Sequence, residues 1–271
     1  MTEVKHQKII VFLSLTETDK NLILNGIRIA TIFKKELCLC YNHSKKEKQL
    51  IEEISIKLTN YLIPIKNELP GLKISTLILS ESLSKIPEKL ADDHEAILML
   101  AGTHEFKKYA KSLEESSVPF LFVNVKEQVF SEFKKLILPI DFRKENQDCM
   151  LWGSYFGRFN SSGIVVVAAN DKAKEEQRQV AVNVALGRKW FQKFKIEHKV
   201  FKGSKSSFQN AFEALELALS SESDLLILLG SSTITLVDLL IGLPEKKITK
   251  RAGKLPILII NPRKDNYILC D

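Results

Sequence analysis

The residues of this chain that could perform chemistry are small, hydroxylated or acidic, and they follow apolar runs in its second half. Glycine lets backbone amides approach a bound anion closely, and serine or threonine hydroxyls can donate hydrogen bonds to that anion. An aspartate accepts hydrogen bonds from the hydroxyl groups of a ligand. The residues that we predict for a ligand-binding crevice on these grounds are Asp141, Gly203, Ser204, Gly230, Ser231, Ser232 and Thr233.

Each of these residues also has a purely structural interpretation. Asp141 follows an apolar run, and it could equally cap the next helix. Gly230 could simply permit a turn from strand to helix. The hydroxylated residues 231–233 suit the beginning of a helix as well as they suit an anion. The sequence leaves both interpretations open.

Residue patterns typical of catalysis or of metal binding are absent from the sequence. The five histidines are scattered, and none lies four residues from another. The chain has neither a GxSxG nucleophile elbow nor a CxxC pair, and its four cysteines form no cluster with histidines. We therefore predict buried thiols, no catalytic residue, no metal site and no enzymatic activity.

The elements that must position these residues alternate between strand and helix. Short β-rich runs predict strands, and apolar residues at helical spacing predict helices. The predicted strands are 8–13, 37–42, 74–80, 96–102, 119–124, 135–140, 164–170, 198–203, 224–230 and 256–261. The predicted helices are 18–35, 46–66, 84–91, 104–115, 145–159, 173–194, 206–221 and 233–252, the last interrupted at Gly242 and Pro244.

The second half of the chain repeats the order of elements of the first half. Both copies end strand four with glycine, open strand five with proline and close it with asparagine; these residues are Gly102, Pro119 and Asn124, then Gly230, Pro256 and Asn261. We predict two domains, 1–130 and 131–271. Alternating β and α elements favour the α/β class, here two tandem doubly wound domains, each a five-stranded parallel sheet with helices on both faces. Ligands of such sheets bind beyond the carboxyl ends of the strands.

Four segments of the second copy resemble the universal stress protein family. They are ILPIDF at 137–142, GS at 203–204, LLG at 228–230 and LPILIIN at 255–261. The resemblance rests on order and spacing, and it covers essentially the whole chain. It implies an adenine nucleotide α-hydrolase-like fold. It also implies an intrachain pseudo-dimer or a homodimer through strand five.

Some members of that family bind ATP, and the resemblance implies which residues would do so here. The binders carry an aspartate after strand one, where Asp141 stands. They also carry a phosphate-binding loop with the motif GxxGxxxxxxxxxG(S/T), in which x is any residue. Gly230 matches the first glycine of that loop, but Thr233 replaces the second, and Leu243 and Pro244 replace the final pair. The acidic Asp238 lies between them and would repel phosphate if it faced it.

The first copy departs further from the family pattern. Ser14 stands where the second copy has Asp141, and Ser80 stands where it has Gly203. Only 17 residues separate Gly102 from Pro119, against 26 in the second copy, so the first copy lacks the length of a phosphate loop. We therefore expect a degenerate site in the first domain and a partly retained site in the second.

The charge and composition narrow the choice of partners. The chain has 271 residues and a net charge of +7. Residues 1–130 contain 18 Lys+Arg and 17 Asp+Glu, whereas residues 131–271 contain 22 Lys+Arg and 16 Asp+Glu, so the excess of positive charge lies in the second half. This excess favours anionic ligands in the second half. The basic residues are scattered, and no RNA-binding aromatic motif is present, so nucleic acid is an unlikely partner. No apolar run is long enough to span a membrane, and nothing resembles a signal peptide, which predicts a cytoplasmic protein.

These observations lead to one expected function and two alternatives. We expect a non-enzymatic, universal stress protein-like protein of the stress response or of regulation, with weak or no nucleotide binding and with an unidentified protein partner. The first alternative is an ATP-binding switch that uses only the second domain, with slow hydrolysis. The second alternative is an enzyme that acts on another small molecule in the same crevice.

Overall fold

The computed structural model describes residues 6–43, 50–126, 130–231 and 244–261. The chain divides into two compact units, with Phe130 in the first and Ser131 at the start of the second.

The first unit alternates strands and helices from Lys8 onward. Its strands are β1 (Lys8–Phe12), β2 (Glu36–Asn42), β3 (Ile74–Leu79), β4 (Ala96–Gly102) and β5 (Phe120–Val123), and its helices are α1 (Asp19–Phe33), α2 (Ile51–Glu68), α3 (Ile86–His94) and α4 (Phe106–Glu115). The strands are parallel, in the order β3-β2-β1-β4-β5. Strand order therefore reverses between β1 and β4, which is where a crevice opens in folds of this class.

The second unit repeats that arrangement. Its strands are β6 (Lys135–Ile140), β7 (Gly163–Ala168), β8 (His198–Lys202), β9 (Leu225–Leu229) and β10 (Ile257–Ile260), and its helices are α5 (Asn146–Asn160), α6 (Lys174–Lys193), α7 (Ser207–Ser220) and α8 (Pro244–Arg251). The order is β8-β7-β6-β9-β10, again parallel throughout. Strand order reverses between β6 and β9.

The central strands are buried on both faces. Every residue of β4 and of β9 is buried, as their uninterrupted apolar sequences predict for strands covered by helices on both sides. In the first unit α3 packs against α4, and in the second unit α5 packs against α6 and α7 against α8. The predicted α/β class with doubly wound parallel sheets is confirmed.

Some predicted helix boundaries are wrong by several residues. The helix predicted over 84–91 runs from Ile86 to His94 and ends where Glu95 adopts the left-handed conformation, at a φ of 53°. Of the helix predicted over 233–252, the described part is α8. Pro244 is the first residue of α8, a position at which proline removes no helical hydrogen bond.

Three of the four cysteines lie in the cores, as predicted. Cys38, Cys40 and Cys149 are buried, and burial raises the pKa of the Cys38 thiol to about 11. The thiols therefore stay protonated and unreactive at neutral pH. Within the described ranges, none of the helices combines the length and apolar character needed to cross a lipid bilayer.

Candidate functional site

The second unit brings predicted site residues to one edge of its sheet. Asp141 directly follows β6, Gly203 follows β8, and Gly230 follows β9. Because β6 and β9 are neighbours at the reversal of strand order, Asp141 and Gly230 flank the crevice of this fold. Ser232 and Thr233 lie outside the described residues, as do Asp238, Gly242 and Leu243.

Asp141 is buried, and its carboxylate is bound by groups of the chain itself. Its Oδ1 accepts hydrogen bonds from the backbone amide of Arg143 at 2.8 Å and from Nδ2 of Asn146 at 2.7 Å. Its Oδ2 accepts from Nε and Nη2 of Arg143 at 2.9 and 2.6 Å. The carboxylate therefore acts here both as a turn-forming group and as one half of an ion pair.

Arg143 extends from this ion pair across to the neighbouring strand end. Its Nη1 donates to the carbonyl oxygen of Gly230 at 2.7 Å. Burial by itself lowers the pKa of Arg143, but the hydrogen bonds and charge of Asp141 outweigh it and the pKa is raised. A charged guanidinium thus bridges β6 and β9 at the mouth of the crevice. The sequence analysis missed this residue, although its position two residues after Asp141 is a spacing at which an aspartate binds the following turn.

Three buried asparagine amides fix the turn that carries Asp141 and Arg143. Nδ2 of Asn183 donates to the carbonyl oxygens of Asp141 and Arg143 at 2.9 and 2.8 Å. Nδ2 of Asn146 also reaches the Arg143 carbonyl, at 2.6 Å. Nδ2 of Asn210 donates to the carbonyl of Ile140, the last residue of β6, at 3.1 Å. The turn is held from α5, α6 and α7 together, which leaves it little freedom to open.

The backbone amides after β8 face a carboxylate from within the chain. Oε1 of Glu213 accepts from the amide and the hydroxyl of Ser204 at 2.8 and 2.7 Å, and Oε2 accepts from the amide of Lys205 at 3.2 Å. A Cβ atom at Gly203 would lie 2.5 Å from Oε2 of Glu213 and 2.9 Å from the Ala168 carbonyl oxygen. Gly203 is therefore required for this close approach, and the predicted anion position holds a glutamate side chain.

A second internal carboxylate lies at the end of β9. Oε1 of Glu245, in the first turn of α8, accepts a hydrogen bond from the backbone amide of Ser231. Glu245 is 5% exposed, and its Oε2 is buried with no hydrogen-bond partner among the described residues. A Cβ atom at Gly230 would lie 3.2 Å from the carbonyl oxygen of Ile260 and 3.6 Å from Oε1 of Glu245. The position of the first loop glycine is thus crowded by backbone and by a carboxylate.

Asp171 closes the same edge of the sheet between β7 and α7. Its oxygens accept from the amide and the hydroxyl of Ser207, the first residue of α7, at 2.9 and 2.5 Å. This is a helix cap supplied by another loop, and it satisfies amides that would otherwise be available to an anion.

The corresponding turn of the first unit uses a carboxylate from a different position. Ser14 takes the place of Asp141, and its amide and hydroxyl donate to Oδ1 of Asp19 at 3.1 and 2.9 Å. The amide of Thr16 donates to Oδ2 of the same aspartate at 3.2 Å. Asp19, the first residue of α1, is buried. The first unit therefore stabilises its turn without an aspartate at the end of the strand.

Nothing in the described ranges assembles the donors of a metal centre, since no group of three or more histidine, cysteine or acidic side chains converges there. The carboxylates of Asp141, Glu213 and Glu245 are each hydrogen-bonded to other groups of the chain. Arg143 is the cation that pairs with Asp141. Among the described residues of this edge, the amides of Ser204, Lys205 and Ser231 already donate to these carboxylates and are not free to bind an added anion.

Comparison with known proteins relates the chain to others by structure alone. No protein-family model matches the sequence, and no curated protein matches it. Among solved structures, a universal stress protein from Archaeoglobus fulgidus is 14% identical, covers 94% of this chain and 96% of its own, and superposes with a TM-score of 0.67. A protein from Pseudomonas aeruginosa whose name assigns it to the same family is 13% identical, with coverages of 96% and 94% and a TM-score of 0.63.

Both matches extend over nearly the full length of each chain, so the likeness includes both units and not one sheet alone. At these identities the likeness concerns the fold and does not extend to individual site residues. The resemblance predicted from the sequence is confirmed at that level: this chain has the fold of the universal stress proteins.

Proposed function

We propose that the chain is a non-enzymatic protein of the stress response or of regulation, whose second unit does not take up a nucleotide. The observation that carries the proposal is the Arg143 guanidinium, which bridges Asp141 and the Gly230 carbonyl across the crevice. In the family that the sequence resembles, the residues at these two positions face the nucleotide. Here both positions are hydrogen-bonded to the Arg143 guanidinium, which lies between them.

The energetic argument starts from the bonds that a ligand would have to break. Removing the guanidinium from the crevice breaks four hydrogen bonds, the longest of them at 3.5 Å to the Leu229 carbonyl oxygen, and each hydrogen bond to a charged group contributes roughly 1.5–3 kcal/mol. It would also leave the buried carboxylate of Asp141 without its counter-ion, which is costly in a protein interior. A ligand must offset these losses before it gains any affinity.

The electrostatic argument concerns the groups that would face a phosphate. Glu213 already accepts the amides after β8, and Glu245 accepts the amide after β9. Both carboxylates would repel a phosphate that approached the same amides. These side chains supply from within the chain the negative charge that a nucleotide would bring.

The regulatory part of the proposal follows from the fold and from the side chains of the crevice. The described residues there form an ion pair between Asp141 and Arg143 and a helix cap from Asp171. We propose that the protein acts by binding an unidentified protein partner. Following the family resemblance, we also propose a cytoplasmic location and pairing through strand five, either within the chain or between two chains.

The test is titration of the whole protein with ATP by calorimetry, on wild type and on the matched variants Arg143→Ala and Arg188→Ala. Arg188 is exposed on α6, so its loss controls for the change in net charge. We expect no saturable binding by wild type or by Arg188→Ala, because the crevice is filled. Low-micromolar binding by wild type would reject the proposal, and an increase of that affinity in Arg143→Ala would favour an ATP switch in the second unit.

A further inference from the structure

The first unit contains an open cavity of ≈ 760 Å³ at the carboxyl ends of β1, β2 and β3. Small-molecule sites in proteins have volumes of about 300–1,000 Å³, so the cavity has the size of a ligand site. It lies on the β2 and β3 side of β1, and its lining includes Ser14 and Ser80, which stand where the second copy has Asp141 and Gly203.

Hydrogen bonds within the chain hold the walls of this cavity in place. Nδ2 of Asn42, at the end of β2, donates to the Glu81 carbonyl oxygen at 3.0 Å, and Oδ1 of Asn42 accepts from the Glu81 amide at 3.1 Å. This pair of bonds joins the end of β2 to the turn after β3. On the opposite wall, Asp19 fixes the amide and hydroxyl of Ser14. A ligand would therefore enter a site that is already formed, which lowers the entropic cost of binding.

The free charge on the cavity wall is positive. Lys85 and Lys108 line it, and Lys85 has no ion-pair partner within the described part of the chain. Lys108 pairs with Glu105 at 2.9 Å, but it is 41% exposed, and pairs of this kind contribute little stability and yield readily to a competing anion. The acidic residue of the lining, Glu81, forms a pair of the same kind with Lys89 at 2.7 Å, so the unpaired charge of the wall is that of Lys85.

The rest of the lining suits a polar ligand with several hydroxyl groups. Ser14, Ser80 and Ser82 contribute hydroxyls, and α3 begins beside Lys85, so the positive end of its dipole adds to the lysine charge. Two lysines match the charge of a phosphomonoester, about −1.5 to −2 at neutral pH, better than they match the single charge of a carboxylate.

We propose that this cavity of the first unit binds a phosphomonoester of a small, polyhydroxylated molecule, with the phosphate between Lys85 and Lys108. The cavity volume exceeds what inorganic phosphate alone would fill, so the hydroxylated body contributes to the binding. The proposal is independent of the closed crevice in the second unit, since none of its residues lies there.

The test is calorimetric titration of the whole chain with glucose 6-phosphate, beside glucose, gluconate and inorganic phosphate. The double variant Lys85→Gln, Lys108→Gln removes both proposed phosphate ligands. The double variant Lys57→Gln, Lys107→Gln removes the same charge from exposed positions on α2 and α4 that do not line the cavity. Thermal unfolding of both variants establishes that each is folded.

We expect glucose 6-phosphate to bind wild type and the control variant with equal affinity. Its affinity for the Lys85→Gln, Lys108→Gln variant should be lower by about tenfold or more. Binding by wild type should also weaken as salt is added, because the contact is ionic and partly exposed. Glucose or gluconate binding as tightly as glucose 6-phosphate would overturn the proposal. So would an absence of binding at millimolar concentration, or an equal loss in the control variant.

Discussion

At the scale of single residues, the second unit binds its own carboxylates at the places where an anionic ligand would bind. The Asp141 carboxylate accepts four hydrogen bonds from Arg143 and Asn146, and Glu213 accepts three from Ser204 and Lys205. A buried carboxylate is costly unless it is paired and hydrogen-bonded. These bonds satisfy that requirement from within the chain, so the same donors are lost to a ligand.

Glu213 provides a pH-dependent test of this arrangement. Burial raises its pKa, but the amide and hydroxyl of Ser204 and the amide of Lys205 lower it by more, so the net pKa is lowered. A lowered folded-state pKa means that the stabilisation is present above the unfolded-state pKa of about 4.3 and is lost as the pH falls through the folded-state value. We expect Glu213→Gln to reduce the free energy of unfolding at pH 7 by about 0.5–1 kcal/mol, a range kept small because the side chain is partly exposed.

Urea unfolding at pH 7 and at pH 3 measures this effect. The gap between wild type and Glu213→Gln should narrow at pH 3, because the stabilisation by the carboxylate is lost as the pH falls below the unfolded-state pKa and through the lowered folded-state pKa. Glu216→Gln on the same helix is the control, since its 3.4 Å pair with Arg251 is exposed and should contribute almost nothing at either pH. A gap of the same size at both pH values would show that the charge of Glu213 is not what stabilises the turn.

The sequence could predict the site positions that follow strands, but not the side chains that occupy the site. Asp141, Gly203 and Gly230 are recognisable because each directly follows an apolar run. Glu213 and Glu245 lie in helices, ten residues after Gly203 and fifteen after Gly230, and their approach to the strand ends is set by tertiary packing. No local pattern marks such residues, so their hydrogen bonds to the strand ends could be found only from the structure.

At the scale of elements, the close approach of helices to sheets depends on glycines inside the helices. A Cβ atom at Gly26 in α1 would lie 2.5 Å from Cγ2 of Val11 in β1 and 3.1 Å from Cδ1 of Leu37 in β2. Valine has a stiff side chain, since Cγ2 is attached directly to Cβ and moves only with a change of rotamer. Gly26 thus lets α1 lie directly on β1 and β2, at a cost in helix propensity.

Gly26→Ala should therefore destabilise the protein although alanine is the better helix former. Overpacking of this kind costs typically 1–3 kcal/mol, against a propensity gain of about 1 kcal/mol. We expect a lower urea midpoint by far-UV circular dichroism. Gly71→Ala is the matched control, because no atom lies within 4 Å of the added methyl group and the midpoint should hardly change. Equal stability of Gly26→Ala and wild type would mean that Val11 can rearrange freely.

At the scale of the whole molecule, the repeat in the sequence reappears as the same order of five strands in each unit. Strand and helix could be predicted because the periods of two and 3.6 residues are local, and the uninterrupted apolar runs 96–102 and 225–230 marked the buried strands β4 and β9. The difference between the ligand sites of the two copies was harder to predict from the sequence. The first copy lacks the loop length, yet it carries the open, lysine-lined cavity, because loop length and cavity volume depend on different residues.

Both tryptophans of the chain, Trp152 on α5 and Trp190 on α6, belong to the second unit. Trp152 is 1% exposed and packs edge-on against Tyr155, with ring centroids 5.5 Å apart. Tryptophan emission therefore follows unfolding of the second unit, whereas far-UV circular dichroism follows both units. The chain thus carries an optical reporter for its second unit alone. If Gly26→Ala lowers the unfolding midpoint measured by circular dichroism and leaves the midpoint measured by tryptophan emission unchanged, the two units unfold separately. If both midpoints fall equally, the two units unfold together.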